Sequence, residues 1–276
     1  MKNVLLLVLG VPVRFCVLGP VGVECGGTFV ELRGAAQRSL LAALLVGRGA
    51  VVRAEALTYE VWGDSWPRRP DNALHAQVSR LRRRLDELEP GRSGGPRLVS
   101  SSCGYRLLLR EDELDIALFT RELREVSSDP LMSPEQVAQR LRGALALWRG
   151  PAFGGTASGP ASQAAAVRYE ESRVAALALL FDNELRAGRH AEIVAELSEL
   201  VEAEPLNERL CEQLMVALYR SGRQTAALTV YQRTWARLNE ELGIEPSPAL
   251  RNHQRAILAH DPALHTAANH ALLRTA

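Results

Sequence analysis

A chain of 276 residues with 47% hydrophobic and 24% charged side chains has room for one large or two ordinary domains, and is neither disordered nor fibrous. Its net charge of +1 conceals a division: residues 1–110 carry 16 basic and 9 acidic side chains, the remainder 17 and 23. A basic front suits a polyanionic partner and an acidic back does not.

The basic residues are arginines apart from Lys2. Four cysteines (Cys16, Cys25, Cys103, Cys211) lack C-x-x-C spacing and nearby histidines, which favours buried, reduced thiols over a zinc site or a disulfide framework. Cys16 facing Cys25 across a hairpin stays open. The apolar run from Val4 to Leu9 is too short to span a membrane and has no A-x-A cleavage site after it. Residues 1–12 read as an extension from a start codon assigned too early, with ordered structure beginning near Val13.

Val13, Phe15 and Val17 alternate with Arg14, Cys16 and Leu18, and glycines punctuate two further runs, Val21 to Cys25 and Thr28 to Leu32. The pattern predicts a small antiparallel sheet. From Gln37 the period changes: Leu40, Leu41, Leu44 and Leu45 predict a helix ending near Gly47, then an extended link at Val51-Val52. A second helix runs from Ala54 to Trp62, with Trp62 in the core. Pro67 and Pro70 keep the stretch from Gly63 to Pro70 from being helical throughout.

The third helix, Asn72 to about Leu88 and capped by Asp71 or Asn72, carries one apolar stripe: Leu74, Val78, Leu81 and Leu85. Ala76, Ser79, Arg80 and Arg83 project away from it. His75 and Arg82 flank the stripe on one side, Gln77 and Arg84 on the other. Most charge runs are solvated helix faces. This one has few local acids before Asp86 and lies in the basic half, and arginine suits guanine edges and phosphates. Ala76, Ser79, Arg80 and Arg83 are therefore the candidate base readers of double-stranded DNA, with His75, Gln77, Arg82 and Arg84 on phosphates. After a Gly/Ser/Pro linker come Leu98 to Ser100, a turn, and Tyr105 to Leu109. Arg97, Ser101 and Arg106 on this hairpin complete the phosphate set. Helices followed by a hairpin make residues 13–110 a winged helix-turn-helix of α+β class.

Residues 113–260 read as all helical, making the chain mostly α. Helices are predicted at Asp115–Val126, Pro134–Leu147, Ala161–Arg186, Ala191–Glu202, Asn207–Ser221, Thr225–Leu242 and Pro248–Ala259, with a polar, frayed tail over 261–276. Leu185-Arg186-Ala187-Gly188-Arg189 recurs as Leu218 to Arg223, with Gly188 and Gly222 separated by 34 residues, the tetratricopeptide period. The charged stretch Arg110 to Glu113 predicts separable halves: a fragment ending near Arg110 should stay folded and bind DNA weakly. No G-x-S-x-G, Walker-type loop or H-E-x-x-H is present, so an enzyme, a metal site or a cofactor is not expected. The competing class is a tetratricopeptide-type adaptor with a degenerate winged helix.

Several stretches resemble the Streptomyces antibiotic regulatory protein family in its short form, which lacks an ATPase region. They are Phe15-Cys16-Val17-Leu18-Gly19-Pro20, Gln37 to Ala42, Asn72 to Leu85, Gly104-Tyr105-Arg106-Leu107, Leu145 to Pro151, Ala187 to His190, Leu214 to Arg220 and Glu241 to Pro246. They occur in the family's order across residues 13 to 259. The resemblance implies a response-regulator-type output domain followed by a bacterial transcriptional activation domain of tetratricopeptide-like helices. It also implies a cytoplasmic, nucleoid-associated activator that binds direct repeats near the −35 element as a homodimer and recruits RNA polymerase with its sigma factor. Trp66, Arg68 and Arg69 become candidates for the polymerase contact, and activation should need both halves. The sequence departs from the family's pattern at Gly34-Ala35-Ala36, at the wing serines Ser100 to Ser102, and in the small-residue loop after Trp148.

Overall fold

The structure, a computed structural model, describes residues 13–265 apart from 91 and 93. Readings made for residues 1–12 and 266–276 lie outside the described residues. Two compact units emerge. The first runs to Ser127 and takes in Gly143–Val174; the second comprises Ser128–Arg142 and the chain from Ala175.

The first unit opens with an antiparallel sheet of β1 (Val13–Cys16), β2 (Gly22–Cys25) and β3 (Thr28–Glu31), in that spatial order. Register pairs Val13 with Cys25 and Cys16 with Gly22, so Cys16 and Cys25 stand at opposite ends of the ladder and do not face each other. Helices α1 (Ala35–Val46) and α2 (Ala54–Trp62) come next, then α3 (Pro70–Leu88) and the strands β5 (Leu98–Ser101) and β6 (Gly104–Leu107). The extended link ahead of α2 is a strand, β4 (Val52–Arg53), which pairs with β6 and makes the wing three-stranded, in order β4-β6-β5. Helix α1 buries Leu40 through Leu45, and Phe15, Val17, Leu18 and Val23 of the opening segment are buried as well. Each such aliphatic side chain contributes roughly 1.5–3 kcal/mol by leaving water.

Three local expectations are corrected. Trp62 is half-buried rather than core, because α2 directs Leu57, Thr58 and Glu60 inward instead. Helix α3 starts two residues early, with Pro70 at its first position, where a missing N–H costs nothing; neither Asp71 nor Asn72 caps it. Cys103 is exposed at the wing turn and Cys25 half-buried, while Cys16 and Cys211 are buried thiols.

Hydrogen bonds within the first unit also run across the stretch 110–113. Helix α4 (Asp115–Ser128) begins with a fully buried carboxylate that accepts hydrogen bonds from the backbone N–H groups of Val17 and Leu18, each near 3.0 Å. Arg149 donates to the same carboxylate at 3.0 Å, and its backbone N–H reaches the carbonyl of Leu18. Beyond α5 (Pro134–Leu145), helix α6 (Pro160–Arg186) starts on Glu60, whose buried carboxylate accepts from the N–H of Ala161 and the hydroxyl of Ser162. A Cβ on Gly159 would sit 2.2 Å from that carboxylate, so glycine is required there. Buried hydrogen bonds of this kind stabilise only while both partners are present.

The second unit is all helical: α7 (His190–Ala203), α8 (Glu208–Arg220), α9 (Gln224–Arg237), a π-helical turn at Leu238–Leu242, and α10 (Pro248–Leu258). Every residue of α8 from Leu210 to Tyr219 is buried, the signature of a helix covered on all sides. The 34-residue echo is structural. Gly188 and Gly222 both turn through positive φ, 77° and 73°. Arg189 N–H bonds the carbonyl of Glu184 as Arg223 N–H bonds that of Leu218. This is the repeated helix-end turn of a tetratricopeptide-like array. Of the tail read over 261–276, the described part forms a 3-10 turn at Pro262–His265 with Leu264 buried, and the rest lies outside the described residues.

Candidate nucleic-acid interface

Helix α3 is fixed before any ligand arrives. Leu74, Val78, Leu81 and Leu85 are all buried, each at most 2% exposed. Gln37 of α1 donates to both oxygens of Gln77, its backbone carbonyl at 3.1 Å and its side chain at 2.5 Å. On the other flank, Arg82 Nε donates to the carbonyl of Leu98 in the wing at 2.9 Å, and His75 meets Tyr105 edge-on at 6.2 Å. Burial pushes the Tyr105 hydroxyl upward, and Arg82 pulls against it.

What this anchoring leaves outward is the face marked by the sequence. Ala76, Ser79, Arg80 and Arg83 are exposed, and among the described residues neither Arg80 nor Arg83 has an ion-pair partner. Arg84 is exposed and paired with Glu87 at 2.9 Å, one turn away and in solvent, where such a pair is easily exchanged. His75 is exposed. Gln77 and Arg82 are half-buried and engaged in holding the helix.

Arg97 is corrected: it is not available to a phosphate. Its guanidinium, 6% exposed, is enclosed by Glu89 at 2.7 Å, Glu113 at 2.6 and 2.8 Å and the carbonyl of Leu108, and it lies over the Phe15 ring. Burial alone would lower its pKa, but the hydrogen bonds to Glu113 and Glu89 outweigh burial and raise it. Glu113 shows the mirror case. Burial would raise its carboxyl, yet hydrogen bonds from Arg97 and from the backbone of Arg110 hold it below its ordinary 4.5.

The wing supplies a cation that the sequence did not reveal. Ser101, Gly104 and Arg53 are cross-strand neighbours in the β5, β6 and β4 ladders, and Arg106 lies two residues along β6 from Gly104. Period-two alternation puts Arg53, Ser101 and Arg106 on one face, opposite buried Tyr105. All three are exposed. The only sequence signal for Arg53 was its place at the end of Val51-Val52, a run too short to show alternation. Trp66, Arg68 and Arg69 are exposed in the loop between α2 and α3, Trp66 at 45%. Among the described residues no cluster of three His, Cys, Asp or Glu could hold a metal, and no helix is long and apolar enough to cross a membrane.

Residues 30–107 match the model of the family described as transcriptional regulatory protein, C terminal, and residues 114–258 that of the bacterial transcriptional activator domain. Regulatory protein AfsR of Streptomyces coelicolor is 42% identical over 254 residues, 91% of this chain; the chain spans only 25% of that relative. Transcriptional regulator RedD of the same organism is 37% identical over 91% of this chain and 72% of its own length. Regulatory protein DnrI of Streptomyces peucetius is 34% identical over 90% and 92%. Among solved structures, Mycobacterium tuberculosis EmbR in complex with a low affinity phosphopeptide superimposes with a TM-score of 0.82 at 30% identity, over 96% of this chain and 69% of EmbR. With both family models matched in order and the winged helix and tetratricopeptide-like helices in place, the chain belongs to the Streptomyces antibiotic regulatory protein family of transcriptional regulators.

Proposed function

We propose that this chain binds double-stranded DNA sequence-specifically and activates a secondary-metabolite, antibiotic-type gene cluster from direct repeats near the −35 element. In this reading it sits as a homodimer on the repeats, in the cytoplasm and on the nucleoid, and recruits RNA polymerase through the sigma factor. It uses no cofactor and catalyses no reaction. The observation that carries the reading is the outward face of α3, where Arg80 and Arg83 stand exposed and without carboxylate partners on a helix pinned along both flanks. A helix so held enters a major groove without reorganising. Arg80 and Arg83 then reach guanine edges, Ser79 accepts or donates to either kind of pair, and Ala76 packs on a thymine methyl. Arg84, Arg53, Ser101 and Arg106, with His75 at the helix start, hold phosphates and carry no sequence information. Trp66, Arg68 and Arg69 present the surface offered to polymerase.

The test is a mobility-shift titration of the full chain on promoter fragments from the adjacent genes, at two salt concentrations. A shift confined to fragments with spaced direct repeats and weakened by salt is expected. Absence of binding to every neighbouring promoter would leave the adaptor reading instead. In a reporter assay the front half alone should activate far less than the full chain.

A further inference from the structure

The second unit holds a cavity that DNA binding does not use. Helices α7 and α9 stand on either side of α8, and between them lies a furrow of about 330 Å³. That volume is at the small end of the roughly 300–1,000 Å³ typical of small-molecule sites. Leu214 and Leu218 of α8, Val201 of α7 and Val230 of α9 give it an apolar lining. The rim is cationic: Arg223, Arg233 and Arg237 line it against a single acid, Glu202.

Glu202 is shared. It pairs with Arg233 and lies 3.8 Å from Arg237, while Arg223 has no carboxylate partner among the described residues. Three guanidinium groups against one carboxylate in the lining leave this rim positive, most of all at Arg223, although residues 111–276 carry 17 basic and 23 acidic side chains. Arg223 is also the residue that precedes helix α9, and its side chain does not cap the first turn, whose free N–H groups add to the positive field there. A surface built only for solubility has no reason to gather like charges over an apolar trough.

We infer that this furrow binds a small organic acid with an apolar body, the tail on Leu214, Leu218, Val201 and Val230 and the carboxylate on Arg223 at the start of α9. Charge and shape together select this class. An uncharged hydrophobe leaves Arg223 unanswered. The inference goes beyond the DNA reading and stands or falls separately from it.

The experiment is titration calorimetry of the full chain with octanoate and with 1-octanol, which shares the tail and lacks the charge. Octanoate should bind with one-to-one stoichiometry and at least about ten times more tightly than the alcohol. Arg223→Gln should weaken octanoate by about tenfold and leave the alcohol unchanged, since a charge-assisted hydrogen bond is lost. Val230→Trp, which fills the trough, should abolish both while circular dichroism stays that of the parent. No heat from octanoate at millimolar concentration would overturn the inference. So would equal binding of acid and alcohol, indifference to Arg223→Gln, or a hexaglutamate peptide that displaces octanoate at lower concentration. The Arg223→Gln chain should shift promoter DNA as the parent does, which keeps this test apart from the other.

Discussion

Arg83 and Arg97 belong to the same compact unit and to the same basic half of the chain, yet the fold treats them in opposite ways. Arg83 stands in solvent on the outer face of α3 and, among the described residues, forms no ion pair, although Asp86 follows one turn on. Arg97 is enclosed between Glu89 and Glu113, with the carbonyl of Leu108 taking one more of its N–H groups. One is spare charge held ready for an external anion; the other is an internal fastener whose charge is already spent on two carboxylates. Local sequence does not separate them, because what decides the outcome is where the acids arrive. Glu89 comes from the end of α3, and Glu113 from beyond the wing.

The largest effect should come from removing the residues that arrive from beyond the wing. A fragment ending at Arg110 lacks Glu113, so Arg97 loses a partner. It also lacks Asp115 and Arg149, so the N–H groups of Val17 and Leu18 and the carbonyl of Leu18 lose theirs. We expect this fragment to melt without cooperativity in thermal circular dichroism. A sharp melt near that of the full chain would instead support the sequence-based boundary, with which the family models at 30–107 and 114–258 agree.

Next in size is Arg97→Ala, which leaves Glu89 and Glu113 facing each other without a cation. Breaking a buried pair by removing one partner costs roughly 3–5 kcal/mol. Arg83→Ala should change stability by less than about 0.5 kcal/mol, as exposed substitutions do. Equal melting temperatures for the two variants would erase the distinction between them.

The legible part of this molecule was local. Helix α3 displayed its whole stripe within one run, so both its buried and its outward faces could be read from 100° periodicity. The glycine-centred turns likewise repeat in sequence as they do in space. What escaped was non-local or too short. Strand β4 has two residues and shows no alternation, so Arg53 went unplaced on the wing. Arg97 looked like its arginine neighbours because Glu113 lies sixteen residues away. Asp115 and Glu60 gave no sign that their carboxylates would serve the backbones of Val17, Leu18 and Ala161. Trp62 was assigned to the core on residue type alone, although the helix turns its smaller neighbours inward.

A smaller effect is expected from Glu113→Gln, and pH reveals it. The Glu113 carboxyl is held below its ordinary 4.5 in the folded chain, so the stability it contributes is complete above that value and is lost as pH falls through the folded one. The parent should lose stability in that acid window relative to Glu113→Gln. At neutral pH the variant should be weaker by about 1.5–3 kcal/mol. Parallel stability curves for parent and variant from pH 7 to pH 3 would contradict the pairing.

The central claim is that the outward arginines of α3 read sequence while those beside them hold position. It is tested most directly by titrating variants on a promoter repeat and on a scrambled duplex across several salt concentrations. Arg80→Ala and Arg83→Ala should each cost about 1–3 kcal/mol on the repeat and much less on the scrambled duplex. Arg84→Ala and Arg106→Ala should weaken both duplexes alike and reduce the salt slope by about one. Equal losses on both duplexes for Arg80→Ala and Arg83→Ala would contradict the account, and would mean that another face of the helix meets the bases.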